Sequence, residues 1–275
     1  MIVAMAAFAL EDSLVKAATR DLPVGQVLMM FGLGGAAIFA ALARVNGIHI
    51  LTRDAVSPVM CLRMVFETSG RLFYVLALAF IPLSAATVIL QATPIVVVAA
   101  AALLLKEPVG PRRWAAIIIG MCGVLAILRP TSDSFSMLSI LAVLGMLGFA
   151  GRDLTSRIAP ASLGTPVLGF YGFVAVTLAG LLFSLWSGAV FRMPGPDAGL
   201  CVAGAIVGGV LAYSCLMKAM RTGDVAAVTP FRYVRLIFGI SLGVVLFGEQ
   251  VSTGTLAGSA LIVLSGLLTI RPVAR

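Results

Sequence analysis

Residues 24–43 read VGQVLMMFGLGGAAIFAALA, a run of twenty positions in which Gln26 is the one polar side chain. A helix of about 20 apolar residues crosses the roughly 30 Å hydrocarbon core of a bilayer. The strands of a membrane barrel would instead alternate apolar and polar residues. The stretch therefore predicts a transmembrane helix, and similar stretches recur along the chain.

The composition of the whole chain agrees with this interpretation. Of the 275 residues, 61% are hydrophobic and 11% are charged, and the mean hydropathy is +1.13. A soluble domain carries roughly 25% charged and 45–50% apolar residues. Lipid must be the main solvent of this chain, and every backbone polar group then needs a partner inside a helix or a closed barrel. The sequence predicts an all-α integral membrane protein.

The scarcity of histidine and the spacing of the cysteines exclude several functions. His49 is the one histidine, and the four cysteines contain no CxxC pair, so the usual spacings of zinc and iron–sulfur sites are missing. The net charge of +8 is explained by the topology signal of membrane proteins, which carry Lys and Arg in cytoplasmic loops. We therefore expect no metal, no cofactor and no nucleic-acid partner.

Charges, prolines and loop residues divide the chain into ten predicted transmembrane spans, numbered 1 to 10 in chain order. The connections are short, and the longest polar gap, 44–57, is too short for another domain. The predicted spans are 3–20, 24–43, 57–80, 83–105, 112–129, 135–157, 165–189, 198–220, 225–247 and 253–270.

The distribution of basic residues predicts that both termini lie in the cytoplasm, because cytoplasmic loops carry an excess of Lys and Arg. With the N-terminus inside, eleven basic residues fall on the cytoplasmic side and four on the other. The inner set is Arg44, Arg53, Lys106, Arg112, Arg113, Arg152, Arg157, Lys218, Arg221, Arg271 and Arg275. The outer set is Lys16, Arg20, Arg129 and Arg192.

The chain repeats itself at an offset of 142 residues. The offset aligns Glu107-Pro108-Val109 with Glu249-Gln250-Val251, and Arg129-Pro130 with Arg271-Pro272. Each half, residues 1–130 and residues 131–275, holds five spans, and an odd number of spans reverses the orientation of the second copy. Two inverted five-helix repeats are typical of secondary transporters, whose substrate site lies at mid-membrane between the repeats.

Charged side chains within the spans are candidate site residues. A charge at the centre of a bilayer costs at least ~2.5–3.5 kcal/mol and normally faces a partner or a watery cavity. In span 1, Asp12 and Lys16 stand one helical turn apart, so they either contact substrate or neutralise each other. One stripe of span 3 holds Arg63, Glu67, Arg71 and Tyr74. Glu67 can pair with either arginine of this stripe.

Span 9 carries Arg232 and Arg235 on either side of Tyr233, with no acid nearby in the sequence. Either arginine can hold a substrate carboxylate bidentately. The alternatives are ion pairs with Glu67 or the acids of span 1, and snorkelling to the interface. Pro230 interrupts the hydrogen bonding of this span, and broken helices often supply substrate contacts in transporters.

The remaining candidates lie on three other spans. In span 4, Gln91 shares a face with Pro94, which we expect to act as a hinge like Pro230. Arg152 in span 6 and Tyr213 in span 8 complete the candidate substrate-binding set. For proline in a membrane helix, ordinary packing is the alternative.

Two stretches resemble the repeats of a known family. Residues 71–130, RLFYVLALAFIPLSAATVILQATPIVVVAAAALLLKEPVGPRRWAAIIIGMCGVLAILRP, are similar to the first repeat of EamA-type carriers in the drug/metabolite transporter superfamily. Residues 227–272, AVTPFRYVRLIFGISLGVVLFGEQVSTGTLAGSALIVLSGLLTIRP, resemble the second. The resemblance implies export or exchange of small metabolites, notably amino acids, through a cavity lined by helices 1, 3, 4, 6, 8 and 9.

The sequence thus predicts a bacterial inner-membrane carrier that exports amino acids, large neutral and aromatic ones among them, by alternating access. Its partners are a small-molecule substrate and the lipid bilayer. Protons are a further candidate, carried by Asp12 or Glu67, and facilitated diffusion is the alternative. The same fold also suits a larger metabolite such as S-adenosylmethionine, a nucleoside or a sugar phosphate. An intramembrane enzyme is disfavoured because the chain shows no paired catalytic groups.

Overall fold

The computed structural model describes residues 1–104, 110–128, 137–160, 162–222 and 229–270. These residues form α-helices, two short 3-10 helices and connections, and this described part of the chain contains no strand. The α-helices, numbered here α1 to α11, are Ile2–Ala18, Val24–Val45, Pro58–Phe80, Leu83–Leu90, Thr93–Leu104, Pro111–Leu128, Ser139–Arg157, Thr165–Ser187, Pro196–Thr222, Val234–Phe247 and Thr253–Ile270. The 3-10 helices are Arg53–Val56 and Thr229–Tyr233.

The all-α prediction is confirmed. Within the described residues, three helical stretches are long and apolar enough to cross a membrane by length and composition. They are Val24–Val45, Thr165–Ser187 and Pro196–Leu216. Leu83–Val97 and Thr253–Ser265 are apolar but shorter. Several other helices have a lower hydropathy because they contain the charged candidate site residues.

Parts of the sequence-based predictions fall outside the described residues. The repeat markers 107–109, 129–130 and 271–272 lie there, and so do the basic residues Lys106 and Arg275. The described residues include every candidate site residue, although the side chain of Pro230 is not described.

Span 4 is not one continuous helix, which corrects the prediction for 83–105. Helix α4 ends at Leu90 and α5 begins at Thr93. Pro94 lacks the amide hydrogen that would otherwise bond to the carbonyl of Leu90. The hydroxyl of Thr93 donates to that carbonyl instead, at 2.5 Å. The interruption thus lies beside the predicted hinge residue.

Span 9 is also irregular, because its described part begins as the 3-10 helix Thr229–Tyr233 before α10. Pro230 is the second residue of this 3-10 helix. The side-chain amide of Gln91 donates to the backbone carbonyl of Arg232 at 2.7 Å. The irregular parts of spans 4 and 9 therefore meet directly.

The helices of the first half pack mainly against helices of the second half. The principal pairs are α1 with α9, α2 with α8, α3 with α7, α4 with α10, and α6 with α11. Helix α1 also packs against α10, and α5 against α7. Most of the core is thus an interface between the two halves of the chain.

The α3 and α7 backbones approach closely where glycines face each other. A Cβ atom on Gly70 would stand 2.9 Å from the amide nitrogen of Phe149, and one on Gly145 would stand 2.9 Å from that of Tyr74. Larger residues there would separate the helices. The glycines thus hold the rings of Tyr74 and Phe149 edge to face, with centroids 5.8 Å apart.

The apolar residues divide between an interior core and an outer surface. The interior includes Phe31, Phe39 and Tyr74, each 1% exposed. The outer surface keeps large apolar side chains such as Leu185 and Val245 exposed. A soluble protein rarely exposes so many large apolar groups, whereas a membrane protein packs them against lipid.

Candidate functional site

Five polar side chains from three helices form a buried group that we call the deep cluster: Glu11, Asp12, Arg71, Tyr74 and Arg235. Glu11 and Asp12 lie on α1, Arg71 and Tyr74 on α3, and Arg235 on α10. Arg71 pairs with Glu11, its Nη1 lying 2.8 Å from Oε1. Arg235 pairs with Asp12, its Nη2 lying 2.5 Å from Oδ2. The hydroxyl of Tyr74 donates to the same Asp12 oxygen at 3.0 Å.

The carboxylates of the deep cluster are sealed from solvent but only half satisfied. The side chains of Glu11 and Asp12 are 0% and 1% exposed. Oε2 of Glu11 and Oδ1 of Asp12 are buried and have no hydrogen-bond partner among the described residues. Buried polar atoms in proteins normally have partners. These two oxygens therefore have unused capacity to accept hydrogen bonds.

Aromatic rings surround the cations of the deep cluster. The guanidinium of Arg235 lies 5.0 Å from the ring centroid of Phe8, and that of Arg71 lies 5.3 Å from the ring centroid of Phe31. Such contacts stabilise a desolvated cation. Aromatic residues thus form part of the wall around the ion pairs.

A second group, which we call the outer cluster, contains Arg63, Glu67, Arg152, Asp153 and Arg232. Glu67 pairs with two arginines: its Oε2 lies 3.3 Å from Nη2 of Arg63, and its Oε1 lies 3.2 Å from Nη1 of Arg152. Arg152 also bonds to Oδ1 of Asp153 through Nε at 2.9 Å and Nη2 at 2.8 Å. Nη2 of Arg232 lies 3.6 Å from Oδ2 of Asp153.

The outer cluster carries a surplus of positive charge, because three guanidinium groups face two carboxylates. Within the described residues of this cluster, Arg232 has the longest ion pair, a 3.6 Å contact with Asp153. The side chains of Arg232 and Asp153 are 23% and 24% exposed. Arg232 is therefore the cation of this cluster best placed to pair with an incoming anion.

Phe149 lies between the two clusters. Its ring centroid is 5.9 Å from the guanidinium carbon of Arg71 in the deep cluster and 4.7 Å from that of Arg152 in the outer cluster. Tyr213 extends the aromatic surroundings, since its ring packs edge to face against Phe39 with centroids 5.6 Å apart. Within the described part of the chain, no group of three or more His, Cys, Asp or Glu residues is suited to hold a metal ion.

The site thus consists of two charged clusters with an aromatic ring between them, set into a bundle of apolar helices. A family model for EamA-like transporters matches residues 1–129 and 136–271. The chain belongs to the EamA-like transporter family. It is accordingly a membrane transporter and not an enzyme, and the family resemblance seen in the sequence is confirmed.

Several curated proteins are similar to this EamA-like chain. The pseudopaline exporter CntI of Pseudomonas aeruginosa is 26% identical over 265 residues, covering 96% of this chain and 92% of that protein. A riboflavin transporter of Vibrio cholerae is 28% identical over 206 residues, covering 74% and 68%. An S-adenosylmethionine uptake transporter of Rickettsia bellii is 25% identical over 204 residues, covering 73% and 68%.

A solved crystal structure also resembles the EamA-like chain in fold. The TM-score is 0.64 at 20% sequence identity, and the match covers 97% of this chain and 95% of the other. The fold is therefore one already seen in a crystal.

Of the two alternatives for Asp12 and Lys16, the one in which they neutralise each other is wrong. Oδ2 of Asp12 is taken by Arg235 and Tyr74, donors that come from other helices. Lys16 instead donates to the backbone carbonyls of Leu78 and Ile81, at 2.8 and 2.6 Å. These carbonyls lie at the carboxyl end of α3, where free carbonyl groups attract a cation. Lys16 is therefore outside both clusters.

Lys16 also lies next to a helix cap built by Glu249. The Glu249 carboxylate accepts hydrogen bonds from the backbone amides of Leu83 and Ser84 at the start of α4, at 2.6 and 3.0 Å. The Ser84 hydroxyl donates to it at 2.9 Å. Nζ of Lys16 is 3.9 Å from this carboxylate. Lys16 and Glu249 thus connect α1, the α3–α4 junction and the end of α10.

Glu67 pairs with one of the two arginines on its stripe of span 3, as predicted, and other helices supply the further partners. Glu67 does pair with Arg63, as its spacing indicates, but Arg71 reaches Glu11 on α1 and the second partner of Glu67 is Arg152 on α7. Spacing along one helix identifies a shared face. It does not identify which neighbouring helix supplies the partner.

The other candidates divide between the clusters and their supports. Arg235 pairs with an acid of span 1, as one alternative for span 9 states. Gln91 is not in either cluster, because its amide binds the backbone of Arg232. Tyr233 is buried at 7% exposure in the main apolar core. We interpret Gln91 as a support for the segment that carries Arg232.

Sequence reasoning did not select Glu11 or Asp153 as site residues and named Arg63 only as a possible partner of Glu67, although all three make ion pairs in the clusters. One signal for Asp153 was present. The repeat offset of 142 residues aligns it with Glu11, so one pair of equivalent positions in the two halves carries one acid of each cluster.

Proposed function

We propose that this transporter exports small zwitterionic metabolites, amino acids with large neutral or aromatic side chains among them, by alternating access. The observation that carries the proposal is the pair of charged clusters. Among the described residues, one has buried carboxylate oxygens without partners, and the other has a surplus guanidinium. A zwitterion presents a matching cation and anion, and the rings of Tyr74, Phe149 and Tyr213 suit an apolar side chain.

The proposed architecture is ten transmembrane helices in two inverted repeats, residues 1–130 and 131–275. The helix pairing supports it. Suppose that each span of the first half is exchanged with its counterpart in the second half, five spans later. The α1–α9 pair then becomes the α7–α3 pair, and the α2–α8, α4–α10 and α6–α11 pairs remain the same pairs. The family match in two segments, 1–129 and 136–271, also supports it.

The proposed location is the bacterial inner membrane, with both termini in the cytoplasm. Lys16 and Arg152 are engaged in helix contacts and ion pairs rather than in loops. Without them, the basic residues number ten on the cytoplasmic side and three on the other. This bias still favours the same orientation.

Alternating access requires that the ion pairs exchange partners with substrate. Most side chains of the clusters are less than one-quarter exposed, so substrate must replace or rearrange protein contacts on entering. A charged side chain that loses its protein partner in the buried site is costly unless another charge replaces that partner. Substrate charges supply this replacement and so stabilise the bound state. The structure therefore suits a carrier better than an open channel.

Efflux from proteoliposomes tests the proposal. Purified protein is reconstituted, the vesicles are loaded with labelled amino acids one at a time, and efflux is measured with and without a pH gradient. For a subset of large neutral or aromatic amino acids, we expect faster efflux than from loaded liposomes that contain no protein. Arg232→Gln is expected to reduce it, whereas Arg53→Gln, a change of an exposed loop arginine, is the matched control.

Two results separate the alternatives. A rate that follows the pH gradient would identify protons as a coupling partner, and an unchanged rate would indicate facilitated diffusion. Absence of efflux for every amino acid from folded protein would overturn the amino-acid proposal. The second candidate is a larger metabolite, favoured by the similarity to riboflavin and S-adenosylmethionine transporters, and competition by such compounds tests it.

A further inference from the structure

The two clusters are separated, and the separation bears on the substrate. We infer, on the basis of the proposed function, that the preferred substrate carries its amine and its carboxylate on well-separated atoms, with the protonated amine at the deep cluster and the carboxylate at the outer cluster. A dipeptide or an ω-amino acid has this property. An α-amino acid carries both charged groups on one carbon, so we expect it to be transported but to bind more weakly than these longer zwitterions.

The deep cluster is suited to the amine. Its two acids, Glu11 and Asp12, each use one carboxylate oxygen for an ion pair and leave the other buried without a partner among the described residues. An unpaired buried acceptor is costly, and an ammonium group brings three donors. A protonated amine would therefore supply the donors that these oxygens lack.

The outer cluster is suited to the carboxylate. Its surplus guanidinium belongs to Arg232, whose described pairing is the 3.6 Å contact with Asp153. A carboxylate accepts two parallel hydrogen bonds from a guanidinium in good geometry. Arg232 therefore has more to gain from a substrate carboxylate than from its present partner. Arg235 already holds Asp12 through Nη2 at 2.5 Å, a closer ion pair than that of Arg232.

The spacing of the clusters sets the length of the substrate. Glu67 of the outer cluster and Arg71 of the deep cluster lie four residues apart on α3, a rise of roughly 6 Å. The amine nitrogen and carboxylate carbon of an α-amino acid are only about 2.5 Å apart. Two extended residues span roughly 7 Å. The length of a dipeptide thus matches this rise along α3 better than that of an α-amino acid does.

Phe149 strengthens this interpretation. Its ring contacts a guanidinium of each cluster and so occupies the space between them, together with the edge of Tyr74. An aromatic ring offers no hydrogen bond to a charge midway along the substrate. It does offer apolar contact to the segment that connects two charged ends.

Competition against efflux of a labelled transported amino acid tests the inference. The competitors are leucine, a leucine-containing dipeptide with free ends, 6-aminohexanoate, and versions of the last two with the amine acetylated or the carboxylate amidated. We expect the free-ended dipeptide and 6-aminohexanoate to inhibit at concentrations at least tenfold lower than leucine. Blocking either end should raise the required concentration at least tenfold.

Two variants assign the ends. In Glu11→Gln, acetylating the amine of a competitor should no longer raise the concentration needed for inhibition, whereas amidating its carboxylate still should. In Arg232→Gln, amidating the carboxylate should no longer matter, whereas acetylating the amine still should. Arg53→Gln is the control and should retain both. If a variant does not fold, the end-blocked competitors still decide the matter with the natural protein, because they require no substitution.

The outcomes distinguish this inference from the proposed function. Efflux of amino acids together with equal inhibition by leucine and the longer zwitterions would overturn the charge-separation inference and leave amino-acid export intact. Insensitivity to blocking either end would overturn it as well. Absence of any efflux or competition by zwitterions would overturn the proposed function.

Discussion

The deep and outer clusters contain the same residue types and differ in how tightly the charges are held. In the deep cluster the ion pairs measure 2.8 and 2.5 Å and the acids are sealed from solvent. In the outer cluster the pairs between helices measure 3.2 and 3.6 Å, and Arg232 and Asp153 are nearly one-quarter exposed. Tight pairing stabilises the helix bundle, whereas loose pairing leaves charge available for exchange.

The two clusters should respond differently to substitution because removing charges from water is costly. Once an ion pair is fully buried, loss of one partner leaves an uncompensated charge and destabilises by several kcal/mol. An ion pair that still contacts solvent contributes little, because water replaces the lost partner. Substitutions in the deep cluster should therefore affect folding most, and substitutions in the outer cluster should affect transport most.

The largest expected effect is that of Asp12→Asn. This change leaves Arg235 buried next to a neutral amide and should lower the free energy of unfolding by about 3–5 kcal/mol. Thermal unfolding of the purified protein in detergent measures it. Asp21→Asn, the same change at an exposed aspartate between α1 and α2, is the matched control and should unfold close to the natural protein. Equal unfolding of both variants would contradict the contrast between the clusters.

Arg232→Gln tests whether the outer cluster matters more for transport than for stability. We expect transport to fall at least tenfold, equivalent to about 1.4 kcal/mol, with little change in thermal unfolding because its one ion pair is long and partly solvated. Efflux rates and unfolding curves of the same preparation measure both. A loss of stability as large as that of Asp12→Asn would show that the outer cluster is as rigidly held as the deep one.

Phe149→Leu tests the separation between the clusters. Loss of the ring removes its contacts with Arg71 and Arg152, each worth about 0.5–1 kcal/mol or somewhat more when desolvated. We expect a modest loss of stability and a reduced preference for substrates with separated charges. Leu185→Ala, a change of an outward-facing residue, is a control for apolar truncation. Unchanged selectivity would argue against a role for the ring.

The smallest effect is expected from Tyr74→Phe. This substitution removes one hydrogen bond to Asp12 and leaves the ion pair with Arg235 in place, so it should cost about 0.5–1.5 kcal/mol of stability. Unfolding in detergent, compared directly with Asp12→Asn, gives the ratio of the two effects. A cost as large as that of Asp12→Asn would mean that the hydroxyl, rather than the ion pair, holds the deep cluster together.

The all-α fold could be predicted from the sequence because its signal is local. A run such as 24–43 is long and apolar enough to identify a helix without knowledge of its neighbours. The interruption beside Pro94 was also accessible, because the missing amide hydrogen frees a defined carbonyl. What substitutes for that hydrogen, the Thr93 hydroxyl, required the structure.

The partners in the site could not be predicted in the same way, because they depend on helix packing. The four-residue spacing of Asp12 and Lys16 is compatible with an ion pair, yet each residue binds a group on another helix. The same holds for Arg71, whose partner Glu11 lies on α1. Periodicity identifies which side chains share a face, and the packing of distant helices determines what that face meets.

The cap that Glu249 provides for α4 has a consequence for how the protein is made. The backbone amide of Leu83 donates a hydrogen bond to the carboxylate of Glu249, which lies 166 positions later in the chain. During synthesis, α4 emerges from the ribosome long before Glu249 exists. The first turn of α4 therefore remains uncapped by this carboxylate until the last quarter of the protein has been translated and inserted. Correct assembly of the first half is completed by one of the last helices to arrive.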